Sequence, residues 1–266
     1  MLVKTGSIGE KGTAVSAGWK RTYCGAAPAP ENLLESWNGD PFLLLALAGL
    51  ATWILVSRHG LERRWLLAGW AVLAVLFVSP LCSLTSALFS ARSAHHLVLV
   101  SVAAPLIAYG LGDRGQVRLR IGPIAAAGVH AATFWFWHVP ALYEAALGHV
   151  AVYWLMQATL LGSAVLVWRR ILIPRAGLLP ALLALVGLIL QMGFLGAVLT
   201  FAREPLYTPH LLTTAPWRLS PLEDQQLAGL LMWAPGMLPY LYAALRMTMR
   251  ALAFSDIREG PAWSRS

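Results

Sequence analysis

Charge is what this sequence has least of. Asp, Glu, Lys and Arg make up 12% of its 266 residues, about half the share of a soluble domain. A water-exposed globular body is therefore excluded. Cysteine is nearly absent. Cys24 and Cys82 are the only two, too few for a disulfide framework. The first twenty residues lack an apolar run, so no cleavable signal peptide is expected and insertion would rely on the first spanning helix. No stretch alternates as barrel strands do, and no internal repeat is visible. Hydrolytic motifs, Gly-rich phosphate loops, nucleotide fingerprints and paired buried acids are all missing, so no enzyme is indicated.

What is present is apolar. The chain is 58% hydrophobic with twelve tryptophans and a mean hydropathy of +0.63, the composition of a membrane protein with interfacial aromatic belts. A span needs about 20 mostly apolar residues. Candidates fall at roughly 41–57, 65–88, 94–110, 121–138, 150–168, 178–201 and 226–246. The expectation is an all-α membrane protein, a seven-transmembrane-helix bundle over 41–253. A polar tail precedes it at 1–40, with a short interfacial helix near Glu31–Trp37, and a cytoplasmic tail follows at 254–266. The net charge of +8 suits cytoplasmic loops rather than nucleic acid.

Orientation follows from Lys and Arg. Arg58, Arg63, Arg64, Arg114, Arg118, Arg120, Arg169, Arg170, Arg175, Arg246, Arg250, Arg258 and Arg265 fall on one side, thirteen of twenty basic residues. That side is read as cytoplasmic, which puts the N-terminus outside and the C-terminus inside. His95, His96, His138, His149 and His210 then lie at the outer surface and His59 at the inner. His130 lies about 12 Å deeper than His138 at 1.5 Å per residue.

The stretch Phe89–Gly110, FSARSAHHLVLVSVAAPLIAYG, sets an adjacent histidine pair at the mouth of an apolar run. Ionisable groups there are costly, so function is the default reading; interfacial anchoring is the bland one. Neighbours diverge by about 100° on a helix, so His95 and His96 cannot both face one point. Imidazole and thiolate suit copper, and sulfur favours Cu(I). The candidate ligands are His96, His138, His95 and Cys82. Arg92, one turn before His96, opposes a cation on that face. His149 reads as an interfacial cap, His210 as a loop bystander and His130 as a hydrogen-bonded core group. Met192, Met232 and Met237 read as core, and Gln157 and Gln191 as interhelical hydrogen-bond partners. Asp224 suits the N-cap of the last helix and, compatibly, a group orienting a ligand imidazole. Gly229 and Gly236 allow close helix contact, and Pro235 and Pro239 kink that helix.

Three blocks, SPLCSLTSALFSARSAHHLVLVSVAAPLIAYG, FWFWHVPALYEAAL and EDQQLAGLLMWAPGMLPYLYAAL, resemble the multi-pass CtaG-type (caa3) cytochrome c oxidase assembly factors. With their spacing they cover roughly residues 33–253. The resemblance implies a seven-helix protein of the bacterial cytoplasmic (inner) membrane that assists maturation of haem–copper oxidase. It would handle copper, as Cu(I), at the outer face. Its partners would be cytochrome c oxidase subunits and other copper chaperones. That family usually carries two histidines four apart at the start of the third helix; here Arg92 replaces the first and His96 matches the second. His95 falls where glutamine is common. A further histidine pair at the start of the fifth helix corresponds to Tyr153 and Gln157. His138 and Asp224 match. With half the histidine set replaced, two functions stand open: a copper-handling assembly factor, and a metal-free scaffold for an oxidase subunit or assembly intermediate. A copper transporter is the weaker third.

Overall fold

The computed structural model describes residues 22–112, 121–172 and 177–259, with side chains to 253. Residues 1–21, 113–120, 173–176 and 260–266, which include the basic residues Lys4, Lys11, Lys20, Arg21, Arg114, Arg118, Arg120, Arg175 and Arg265, lie outside the described residues. Among the described residues all regular structure is helical apart from one isolated bridge, Thr22 to Gly25, with turns and irregular links between the helices.

Proline punctuates the helices. Helix α1 (Pro41–Ser57) starts at Asp40, whose carboxylate accepts from Phe42 N, with Pro41 at the first helical position. Helix α2 (Gly60–Val78) ends at Ser79, and α3 (Pro80–Ala87) leaves at a 51° bend. Pro80 has no N–H and clashes with a continuing turn. The next span runs from α4 (Phe89–Val98) through a π-helical turn at Leu99–Ala103 into α5 (Ala104–Gly110). Pro105 withholds a donor, and the wider turn absorbs the mismatch. The freed Val100 carbonyl accepts from Trp168 Nε1 at 2.8 Å. Helix α6 (Pro123–His138) stops at Val139–Pro140, where α7 (Pro140–Gly148) begins. Helices α8 (Val150–Leu172) and α9 (Leu178–Thr200) are long and apolar. Helix α10 (Pro221–Trp233) passes through a short turn at Pro235–Met237 into α11 (Leu238–Glu259).

Each of the seven expected stretches is helical. Among the described residues, though, four helices suffice by length and composition to cross a membrane, Phe89–Gly110, Val150–Leu172, Leu178–Thr200 and Pro221–Ala253, or five if α2 and α3 count as one. At 17 and 16 residues, α1 and α6 are short against the ~20 needed. Several boundaries differ from expectation: α2 starts at 60 rather than 65, α8 ends at 172 rather than 168 and α11 runs to 259 rather than 246. The third stretch starts at 89 rather than 94, because the polar run Ser90–Arg92–Ser93 is buried against protein. The last starts at 221 rather than 226, set by a capping box between Ser220 and Glu223, two reciprocal bonds that fix a helix start.

Two helix pairs approach closely. A Cβ on Gly229 would lie 2.5 Å from the Gly196 carbonyl oxygen, so α9 and α10 meet backbone to backbone, as expected of small residues in membrane helices. A Cβ on Gly110 would lie 2.8 Å from Leu66 N, which brings α5 onto α2 in the same way.

The part of the expected polar tail that is described is docked. Residues 30–35 form a short 3₁₀ turn. Tyr23 stacks on Tyr153 at 4.9 Å, and its hydroxyl donates to Asp40 at 2.5 Å. Asn38 Nδ2 donates to the Phe77 carbonyl at 3.0 Å. Cys24 and Cys82 are joined by a disulfide across 58 residues of chain.

Candidate functional site

The site is built around α4, the helix of Arg92, His95 and His96. Its N-terminus presents free N–H groups, as all helix starts do. Asp224 from α10 takes them: its carboxylate accepts from Phe89 N at 2.6 Å and Ser90 N at 3.1 Å, and from the Ser90 hydroxyl. Asp224 is therefore the cap of α4, while Ser220 caps α10. That corrects the expectation of Asp224 as cap of its own helix. No hydrogen bond links Asp224 to an imidazole among the described residues; it acts on the histidines by holding their helix.

Around α4 the chain closes a lid. Tyr207 stacks on Phe89 at 3.9 Å and donates to the His138 carbonyl at 2.8 Å. His210 is buried there. Its Nδ1–H donates to the Ala87 carbonyl at 3.3 Å, and its Nε2 accepts from the Tyr143 hydroxyl at 2.7 Å. Burial, then the Arg92 charge, hold its pKa down at about 4. His210 is thus a neutral, fully bonded plug with no lone pair to spare, a role its place in a loop did not suggest.

The candidate ligands separate on inspection. His138 donates Nδ1–H to the Phe134 carbonyl one turn back at 2.7 Å, leaving Nε2 with the free lone pair. His96 lies with its ring centroid 6.5 Å from that of His138. Its Nε2 accepts from the Gln157 amide at 3.4 Å, a long and weak bond. His95 turns the other way. Its Nε2–H donates to the Leu76 carbonyl at 3.2 Å and its ring meets Phe77 edge-on. Cys82 offers no thiolate while it is bonded to Cys24, which removes it from the expected ligand set as the protein stands. His130 donates to Ser163 at 2.9 Å deeper in α6, as a core histidine should. His149 and His59 are exposed.

Among the described residues, no three or more His, Cys, Asp or Glu side chains converge as a metal site. The pair His96–His138 remains. Two imidazoles joined through one ion at metal–nitrogen bonds of about 2 Å have centroids roughly 6 Å apart. The observed 6.5 Å between the two ring centroids is close to that separation.

Arg92 dominates the electrostatics. It is 1% exposed, and none of its three guanidinium nitrogens has a hydrogen-bond partner. It lies over the Tyr153 ring at 5.3 Å and beside the Tyr143 hydroxyl. Asp224, with both oxygens engaged at α4, forms no ion pair with it; the one salt bridge among the described residues is Arg58 to Glu62. Arg92, Tyr153, His96 and Gln157 therefore meet pairwise, Arg92 on Tyr153 and His96 on Gln157. The charge on His96's own helix face stays uncompensated.

The family model described as cytochrome c oxidase caa3 assembly factor (Caa3_CtaG) matches residues 49–253. No curated protein and no solved structure matches the chain. The matched span holds every helix from the end of α1 to α11, and with them Cys82, Arg92, His95, His96, His138, Tyr153, Gln157 and Asp224. Cys24 and the docked N-terminal segment lie outside it.

Proposed function

The chain belongs to the cytochrome c oxidase caa3 assembly factor family, and from that membership we propose that it carries copper as cargo, holding Cu(I) between His96 and His138 for an oxidase subunit. The family implies a role in oxidase assembly rather than in turnover. The observation that carries the copper reading is the 6.5 Å between the two imidazoles. Cu(I) is served by imidazole ligands, and the Gln157 amide that the ion would displace from His96 is held only at 3.4 Å. A two-coordinate, weakly buffered site suits an ion that must be passed on.

The cargo site faces the outside of a seven-span bundle in the cytoplasmic membrane. The basic bias supports this orientation, and so does the Cys24–Cys82 disulfide, since such bonds persist in oxidising compartments. Cys24 touches Tyr153 at 3.4 Å, so the disulfide shares the end of the bundle that holds the histidines. Reporter fusions after Gly112 and after Gly148 should read cytoplasm and exterior respectively; the reverse pattern removes the outer-face reading.

The direct test is anaerobic Cu(I) competition titration of wild type, His96→Ala and His138→Ala. Either histidine variant should lose most of the affinity. Equal weak binding in all three would leave the second reading, a metal-free scaffold for an oxidase subunit. One observation favours that alternative: the unpaired Arg92 charge beside His96. Oxidase assembly decides between them in cells. Loss of the gene should lower assembled oxidase activity with transcripts intact. A His96→Ala/His138→Ala protein that restores assembly fully would establish the scaffold.

A further inference from the structure

At the end of the bundle away from His96, α2, α5, α8, α9 and α11 enclose a cavity of about 610 Å³, within the usual size range of a small-molecule site. Its floor is rigid. Trp168 is 3% exposed and stacks on Tyr240 at 5.3 Å. The Ser101 hydroxyl donates to Tyr240 at 3.4 Å from inside the π-helical turn. That turn widens the helix where the cavity meets it, and such turns gather at functional sites. Above the floor the walls are apolar, with Pro105, Leu106, Ile171 and Leu178 among them.

The mouth is different. Arg246 and Arg250 line it one turn apart on α11, both exposed. Arg246 lies over the Tyr242 ring at 5.9 Å and donates to its hydroxyl at 3.2 Å, which holds the guanidinium at the rim. Trp65 meets Tyr109 edge-on at 5.2 Å across the opening, an amphipathic pair of the kind that marks a membrane–water boundary. Among the described residues lining the cavity there is no Asp or Glu. The result is a largely apolar slot with two cations, and among the described residues no anion, at its mouth.

We propose that this cavity is a binding site for one acidic phospholipid, its acyl chain along Trp168 and Ile171 and its phosphodiester on Arg246 and Arg250. Charge complementarity selects the occupant. Guanidinium forks match phosphate oxygens, and basic pockets between membrane helices take anionic head groups. A zwitterionic lipid brings its own cation toward two arginines and gains less. Because the lipid would pack against Ser101 and Pro105, it would rest on the same continuous span as His96. The proposal does not depend on copper binding and is tested without metal.

The experiment uses the full chain, metal-free, equilibrated in detergent with phosphatidylglycerol or phosphatidylcholine and read by native mass spectrometry and thermal melting. Wild type should retain phosphatidylglycerol at least tenfold over phosphatidylcholine and melt higher with it. Arg246→Gln/Arg250→Gln should bring retention to parity, and Arg246→Lys/Arg250→Lys should keep most of the preference. A second variant, Ser101→Leu, fills the floor while leaving both charges, and should lower retention of either lipid. The proposal is overturned if wild type shows no preference, or if the double Gln variant keeps it. Melting without lipid checks that each variant is folded.

Discussion

Replacing Arg92 with methionine should tighten Cu(I) binding rather than weaken it. The guanidinium is buried without a hydrogen-bond partner or an ion pair. It sits one turn before His96, where side chains at i and i+4 are about 5–6 Å apart at Cβ. An ion on the far side of the His96 ring would then lie roughly 7–8 Å from the charge. At an effective dielectric of about 20, two unit charges at that separation repel by about 2 kcal/mol. That is roughly 30-fold in affinity. Methionine keeps much of the volume, so little cavity opens. The loss of the contact on Tyr153, worth about 0.5–2 kcal/mol, is offset by removing an unpaired buried charge. Melting temperature should therefore not fall. Anaerobic competition titration against a Cu(I) chelator reads the affinity, with Arg92→Lys as the charge-preserving control that should show no gain. Binding by Arg92→Met no tighter than wild type would mean that the ion does not sit beside His96. Binding as weak as that of His96→Ala would mean that Arg92 itself organises the site.

Asp224→Asn should weaken the cap on α4, lowering stability by about 1 kcal/mol, and should reduce Cu(I) affinity less than His96→Ala; a loss equal to that of His96→Ala in a protein that melts like wild type would assign Asp224 a direct part in binding. Reducing the Cys24–Cys82 bond, or Cys24→Ser/Cys82→Ser, frees a 58-residue connection, and loop-closure entropy predicts a loss of about 4 kcal/mol, seen as a lower melting temperature; an unchanged melt in reductant, with thiol labelling showing the bond open, would refute this. The Tyr23 hydroxyl bond holds the Asp40 carboxyl below the usual carboxylate range, so its contribution is full above the unfolded value near 4 and is lost as pH falls through the lower folded value. Hydrogen exchange around Tyr23 and Phe42 should rise below about pH 4 in wild type and show no such step in Asp40→Asn; a wild type with flat protection across that range would refute the linkage.

What the sequence determined by itself is local. Low charge and long apolar runs fixed the membrane class, because transfer energy sums along a span regardless of its neighbours. Proline's effect is local too, because the missing N–H acts within one turn, and Pro80, Pro140 and Pro221 stand at the first position of their helices; the expected stretches nevertheless ran through Pro80, and the last began at 226. The WHVPALY and DQQLAGLLMW blocks carried the family, and the matched residues 49–253 agree with it. Gly229 as a point of close helix approach was legible for the same reason: only the absent side chain matters.

The tertiary structure decided the rest. Asp224 found the start of α4 134 and 135 positions away, and Cys82 found Cys24 across 58 residues; neither partner is visible in local pattern. His210, in a loop, became a buried plug because Tyr143 and Ala87 met it from other elements. His95 and His96 are identical by composition and adjacent in sequence. The 100° between them on the helix sent one to the Leu76 carbonyl and the other toward His138. Arg92 reads as one charge at a span's mouth, but whether it is paired depends on where every acid in the fold is spent. Asp224, an acid on the helix packed against α4, is spent on the end of α4, because unsatisfied N–H groups in a buried setting claim an acceptor as firmly as a guanidinium does.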